Sequence, residues 1–351
     1  MSDHAMTLPP QPAEHTLMHQ EAGDAAETAR RFLTRNAAAL ARIADRLRAE
    51  PPATVITCAR GSSDHAATYG KYLVETLIGI PTASAALSVA SVFAAPLRAQ
   101  GALCIAISQS GRSPDLLRTV QAYREGGAFI VAMVNDEFSP LAALADECLP
   151  LCAGPERSVA ATKSYIGSLV ALAALTAHWA GDRALLDALA LLPDDLAHAF
   201  ALDWEAALPM LADATNLFVM GRGYSFAVAQ EAALKLKETS ALHAEAFSSA
   251  EVRHGPMAIV GQDFPILAFA TSDRAGDDVR AAAQEFRERG ARVAMADAAD
   301  PDSGLPALQA HPALEPVLMI QSFYRLVNRL ALARGLDPDA PPHLNKVTQT
   351  L

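Results

Sequence analysis

At 351 residues the chain exceeds one ordinary core and suits two domains of ~150 residues each. Half of it is hydrophobic (51%) and a fifth charged (19%), the composition of a packed globular protein. Its formal net charge of −11 argues against nucleic acid or an anionic membrane as partner, so an anionic ligand has to be captured locally by backbone amides and a few placed cations.

Residues 1–20 read as mobile, and "MSDHAMTLPPQP" has neither a basic start nor an apolar core, so no secretory signal is expected. Residues 21–50 read as helix, with Phe32, Leu33, Leu40, Ile43 and Leu47 at stripe spacing and Pro51-Pro52 as the stop. Strand 55–58, helix 64–78, strand 103–107, helix 115–125 and strand 128–134 follow, and a long helix runs from about residue 162 to 178. This alternation is that of parallel βαβ units with helices on both faces of the sheet. Polar breaks and His178 keep 164–180 short of a membrane span, so a cytoplasmic protein is expected. The four cysteines, Cys58, Cys104, Cys148 and Cys152, lack tight metal spacing; Cys148 and Cys152 suggest ligands only weakly. They read as buried small hydrophobes in a reducing compartment, and neither a metal nor a cofactor is expected.

The second half echoes the first. "VITCARGSSDHAATYGKYL" parallels "LFVMGRGYSFAVAQEAALKL", setting Arg60-Gly61 against Arg222-Gly223. At the same spacing, "CIAISQSGRSPDLLRTVQAYREGGA" parallels "ILAFATSDRAGDDVRAAAQEFRERGA". Two matched segments in order predict two copies of one α/β domain. The expected organisation is an extension and helix over 1–50, a first domain over 51–192 and a second over 205–335, with a tail at 336–351. A connector at 191–208, with Pro193 and nearby Pro209, separates the copies.

In an open parallel sheet, ligands gather at the carboxyl ends of strands, where helix N-termini present free amides. The turn "SQSGRSPD" at 108–115 occupies that position. Pro114 suits the first helical turn, Ser113 the N-cap and Gly111 a close backbone approach. An ordinary capped turn needs those three, but not Ser108, Gln109 and Ser110 as well, so the stretch is read as an anion site, most plausibly for phosphate. Ser62 or Ser63 in "ARGSSDH" can add donors. The matching turn of the second half, "ATSDRAGDD", carries Asp273, Asp277 and Asp278, which repel phosphate, so one phosphate site per chain is expected. The chain has no GxxxxGK[ST] loop and no G-x-S-x-G elbow.

The second half is expected to supply the chemistry through "EAALKLKETSALHAEAFSSAEVRHGP" (231–256). Glu231, Lys235 and Glu238 fall at i, i+4 and i+7 on one helical face. A surface salt-bridge ladder is the bland account. The same segment, however, runs on to Glu245, Glu251, Arg253 and His254, and a carboxylate with a histidine suits proton transfer between carbons and at a sugar oxygen. His243 is read as packing or helix-end capping.

From about residue 17 to the end, the chain resembles the SIS (sugar isomerase) family, specifically the isomerase half of glucosamine-6-phosphate synthase and its stand-alone relatives. The resemblance rests on "SQSGRS", "VAATKS", "GRGYSFAVAQEAALKLKE", "HAEAFSSAEVRHGP" and a terminal "LNKVT" in that order, with "LMHQEAGDAAETARR" as the opening helix. It implies two tandem domains, each a three-layer, flavodoxin-like parallel sheet. It further implies phosphate binding by Ser63, Ser108, Gln109, Ser110 and Ser113, and sugar contacts from Ser62, Val159, Ala161, Lys235 and Asn345. Glu238 is then the base moving a proton between carbons 1 and 2, with Glu231 and Lys235 at flanking positions. His254 is the ring-opening histidine, supplied by the neighbouring subunit of a homodimer. Lys346 contacts the sugar and can form a Schiff base with the open ketose, so the tail completes the site. Arg112 stands where synthases are commonly acidic and is read as facing solvent.

Two departures from the synthase pattern shape the expected activity. A glutamine-hydrolysing domain is not expected here, and Ala161 and the tail "KVTQTL" differ from their synthase counterparts. The resemblance therefore implies the deaminase branch, converting glucosamine 6-phosphate to fructose 6-phosphate and ammonia. The alternatives are a related aldose–ketose enzyme (a synthase-like isomerase, a fructosamine-6-phosphate deglycase or a galactosamine-6-phosphate deaminase) and a non-catalytic sugar-phosphate sensor.

Overall fold

The computed structural model describes residues 12–300 and 302–346. Residues 1–11 of the stretch read as mobile, and Val347-Thr348 of the terminal motif, lie outside them. In chain order come α1 (Leu17–Gly23), α2 (Ala25–Ala49), β1 (Thr54–Cys58), α3 (Ser62–Leu77), β2 (Thr82–Ser84), α4 (Ser88–Ser91), β3 (Ala102–Ser108), α5 (Pro114–Glu125), β4 (Phe129–Val134), α6 (Pro140–Leu144) and β5 (Glu147–Pro150). Three helices, α7 (Lys163–Ala180), α8 (Arg183–Ala201) and α9 (Leu208–Ala212), lead to the second half. That half contains β6 (Asn216–Gly221), α10 (Tyr224–Ser240), β7 (His243–Ser248), β8 (Pro265–Ala270), α11 (Arg274–Glu288), β9 (Arg292–Asp297) and α12 (Glu315–Ala333).

The strands form two parallel sheets, ordered β2-β1-β3-β4-β5 and β7-β6-β8-β9, with helices on both faces, as the alternation predicts. Every residue of β3 is buried, the reason its sequence is an unbroken apolar run rather than an alternating one. One apolar core joins the sheets through Tyr69 of α3, Ile166 of α7, Leu236 of α10 and Phe323 of α12. Smaller cores lie on the outer faces, around Leu116 and Val120 under α5 and around Val279 and Phe286 under α11. Helix α7 is buried almost all round, because α2, α3, α8 and α12 pack on it.

Four expectations need correction. The first helix starts at Leu17, inside the stretch read as mobile, and breaks at Asp24, whose carboxylate pairs with Lys163 at 3.0 Å. The connector begins as helix: α8 carries Pro193 in its interior. Its buried face of Leu185, Leu189, Leu192, Leu196 and Ala199 is continuous through the proline, so packing offsets the lost N–H donor. His243 neither packs nor caps; it opens β7 and is exposed, while α10 ends on Ala241 in the left-handed conformation. Cys58 and Cys104 are buried on neighbouring strands with sulfurs 3.7 Å apart, whereas Cys148 and Cys152 are only half-buried.

In each sheet the chain reverses direction between its first and third strands, β1/β3 and β6/β8, which opens a crevice at their carboxyl ends. The first crevice lies beneath the turns 59–61 and 109–113.

Candidate active site

A cleft of about 400 Å³ lies over the β1/β3 switch point, within the range that holds small metabolites. It is lined by Ser62 and Ser63 from the start of α3, by Ser108, Gln109, Ser110 and Ser113 from the turn after β3, by Val159 and Ala161 from the loop before α7, by Glu238 from α10, and by Asn345 and Lys346 from the tail. The fold thus brings together residues from five separate stretches of the sequence. Two of the expected residues are not in the cleft. His254 stands on an exposed loop after β7, and Lys235 is 1% exposed, buried beneath Glu238.

The serine turn is built to leave donors free. Ser108 Oγ accepts the Gly111 N–H at 3.0 Å, so its own hydroxyl proton is available to a ligand. Ser113 sits at the N-cap of α5 in extended conformation, but its side chain makes no capping bond, contrary to the expectation of a capping serine. Asp115 instead accepts the Leu116 N–H at 2.8 Å. Gly111 has φ +64°, and a Cβ there would lie 2.3 Å from Ser139 Oγ and 2.9 Å from Val134. Gly111→Ala is therefore expected to cost about 2 kcal/mol or more and to weaken anion binding at the turn. Thermal melts and phosphate titration check both.

The corresponding turn of the second sheet is closed by its own carboxylate. Asp273 accepts the Ala275 and Gly276 N–H groups at 3.1 and 3.2 Å and the Thr271 hydroxyl at 2.6 Å. In the first turn the side chains at the corresponding positions are serine hydroxyls, Ser108 accepting the Gly111 N–H at 3.0 Å and Ser110 the Arg112 N–H at 3.4 Å, so no carboxylate stands there to repel an anion.

The chemistry-bearing groups form two buried ionic clusters. Lys235 Nζ contacts Glu238 Oε2 and lies 3.5 Å from Glu231 Oε1. Glu231, 0% exposed, also accepts Ser62 Oγ at 2.9 Å, and His65 Nδ1 lies 2.9 Å from its second oxygen. Burial pushes the Glu231 carboxyl up, but Lys235, His65 and Ser62 outweigh it and hold it below the ordinary carboxylate range. Burial likewise pulls Lys235 down, and Glu231 and Glu238 more than restore it, so the ammonium persists above its usual range. In the second cluster Glu156 accepts Lys346 Nζ at 2.9 Å, the Ser164 hydroxyl at 2.7 Å and the Thr162 and Ser164 amides at 3.0 and 3.1 Å. Desolvation of Glu156 is again outweighed, by Lys346 and Ser164 first, and its carboxyl is held low. Glu21 accepts the Arg157 and Ser158 amides, which fixes the loop that carries Val159 and Ala161. The tail is tied twice, by Lys346 on Glu156 and by Asp339, whose carboxylate accepts the Leu17 and Met18 amides at 2.7 Å each.

Sequence reasoning missed Arg60, His65 and Glu156. Arg60 lines the cleft and pairs through Nη2 with the buried Asp115 at 2.8 Å; its place in "ARGSSDH" beside a strand end was the available signal. His65 sits in the same motif, one turn beyond Ser62. Glu156 has no local signature, since its partner is in the tail. Arg112 pairs with Asp136 at 2.7 Å on an exposed edge and does not line the cleft. A larger crevice of about 570 Å³ by α2 holds Arg30, Arg31 and Arg35, but each is paired with Glu27, Asp194 or Glu137 and nothing converges on its interior. Among the described residues no group of three or more His, Cys, Asp or Glu side chains is arranged to hold a metal ion, and no helix is long and apolar enough to cross a membrane.

The comparisons with known proteins agree with this geometry. A family model described as SIS domain matches residues 50–178 and 210–301. The glutamine–fructose-6-phosphate aminotransferase (isomerizing) of Symbiobacterium thermophilum is 35% identical over 323 residues, 86% of this chain and 52% of that protein. The chain spans about half the length of the curated relatives it matches. A crystal structure of a proposed phosphosugar isomerase from Silicibacter pomeroyi is 44% identical, with TM-score 0.88 over 92% of this chain and all of that one. The C-terminal domain of glucosamine-fructose-6-phosphate aminotransferase from Francisella tularensis is 26% identical, with TM-score 0.81 over 93% of this chain and 98% of that one. A glucosamine-6-phosphate deaminase from Thermotoga maritima shares the fold at 22% identity, with TM-score 0.77 over 95% of this chain and all of that one.

Proposed function

The chain belongs to the SIS domain family, and on that premise we propose that it is an amino-sugar phosphate deaminase-isomerase, converting glucosamine 6-phosphate and water to fructose 6-phosphate and ammonia. The observation that carries this reading is the seating of Glu238 and Lys346 in the same cleft as the serine turn. The turn anchors the phosphate, which places carbons 1 and 2 at the other end of a short sugar, within reach of a carboxylate.

In the proposed reaction His254 opens the ring, and Glu238 takes the carbon-2 proton and returns it to carbon 1. The carbon-1 oxygen gains a proton as the carbon-2 amine loses one, so the open aldehyde becomes a carbon-1 alcohol with a ketimine at carbon 2; water adds to the ketimine and ammonia leaves, so the atoms balance without a redox step. Lys346, held by Glu156, contacts the open sugar. Ser62, Ser63, Val159, Ala161 and Asn345 frame it, and Lys235 acts from beneath by holding the Glu238 carboxylate. His254 stands exposed on the loop that also carries Ile259, 65% exposed, which fits a histidine donated to the cleft of a second copy in a homodimer. The deaminase direction rests on Ala161 and the tail, where the sequence departs from the synthase pattern.

The test is direct. Purified protein is incubated with glucosamine 6-phosphate, and ammonia and fructose 6-phosphate are measured together. Equimolar release is expected. No ammonia at millimolar substrate, with release from a different amine adduct, would sink the assignment.

A further inference from the structure

We propose that His65 is a positioning residue that governs the protonation of the base, its imidazole and the Glu238 carboxyl titrating as one unit through the buried Glu231–Lys235 pair. The inference rests on the reading of Glu238 as base.

The geometry imposes a charge count. Lys235 is one ammonium touching two carboxylates, Glu231 and Glu238, and cannot balance both. Glu231 and Lys235 have essentially no solvent access, so the imbalance is poorly screened. His65 Nδ1, 2.9 Å from Glu231 and 19% exposed, is the group that can make up the difference. With His65 protonated, the cluster is neutral when Glu238 is ionised, the form a base needs. With His65 neutral, the cluster is neutral only when Glu238 carries a proton.

The other groups facing the cluster do not alter this count. Glu156, before α7, is matched by Lys346 of the tail. Tyr69 of α3, Tyr165 of α7 and Tyr324 of α12 are all pushed up by burial and stay neutral. Asp64, next to His65, is turned to the Ser84 hydroxyl at 3.4 Å, and Cys58 of β1 is itself held protonated by its bond to Cys104 and by burial. Within one chain, two proton sites of this cluster remain that can exchange occupancy, His65 and Glu238.

Two measurements test the coupling. The first is the His65 imidazole titration by NMR in the ligand-free protein, with its signal assigned by its loss in His65→Gln. In Glu238→Gln, which removes a negative charge, His65 is expected to lose its proton at lower pH, by roughly half a pH unit or more. The second is the pH profile of kcat/KM in His65→Gln, which keeps a donor to Glu231 but no charge. Its acid limb is expected to move to higher pH, with about a fivefold loss at the acid end and little change on the plateau. An imidazole titration unmoved by Glu238→Gln overturns the coupling, since a purely structural His65 would give that result. A moved titration with an unmoved rate profile instead overturns Glu238 as the base and leaves the coupling standing.

Discussion

Glu238→Gln is expected to lower kcat for ammonia release by about three orders of magnitude while sugar-phosphate binding stays within a few-fold. General acid–base groups contribute typically about 10²–10⁴-fold, and Glu238 is the one carboxylate among the described residues lining the cleft. It is 21% exposed, open to a substrate, whereas Glu231 and Glu156 are sealed from it. The glutamine amide keeps an oxygen for Lys235, so the helix face and the phosphate turn are undisturbed. Binding of glucosamine 6-phosphate by calorimetry, set beside the ammonia assay, separates the two effects. Turnover retained in the variant would place the base elsewhere; a sugar-phosphate sensor would show no turnover in either protein.

Glu231→Ala is expected to destabilise the fold by about 3–5 kcal/mol, the cost of leaving two hydrogen-bonding partners without their acceptor, at about 1–3 kcal/mol each, and of the cavity left behind. Ser62 and His65 lose their acceptor at once, while Lys235, 1% exposed, loses the more distant of its two carboxylates and keeps Glu238. The unfolding midpoint should fall by roughly 4–7 °C for a chain of this size. Replacing both members of the pair, as Glu231→Leu with Lys235→Met, should recover part of that loss, because an apolar pair of similar volume removes the desolvation cost that the ions carry. A double variant no more stable than the single one would show that the partners are not the source of the cost. The pH dependence has a definite sign. Glu231 and Glu156 are both held below the carboxylate range, so the stability they bring is present above their unfolded value of 4.5 and is lost as pH falls through their folded values. Lys235 is held above its usual value of 10.5, so its contribution is complete below that value and lost as pH rises through the folded one. Melts recorded from neutral pH down through the carboxylate range read the first effect, which Glu231→Leu with Lys235→Met should reduce.

The line between what is local and what is not runs through the site itself. Strand, turn and helix around 103–125 follow from an unbroken apolar run, a glycine at positive φ and a proline at the first helical turn, all properties of neighbouring residues. The shared face of Glu231, Lys235 and Glu238 follows from helical spacing alone. By themselves these features determined a parallel α/β protein with a donor-rich turn and an ionic helix face, and the resemblance they carry determined the family.

Tertiary structure decided which of those groups meets a ligand. Periodicity reports that a face is shared but not what covers it: the resemblance implies a sugar contact for Lys235, and in the fold it is 1% exposed between Glu231 and Glu238. Pro193 marks a break locally, yet the apolar face of α8 carries the helix through it. The edge strands β2, of three residues, and β7 are half-exposed, and their hydrophobic pattern is correspondingly faint. The partners of the buried charges are remote: His65 and Glu231 are 166 residues apart and Glu156 and Lys346 are 190 apart. A charge can be removed from water only beside its counter-charge, and when that counter-charge comes from the other half of the chain or from the tail, only the folded chain determines where the two meet.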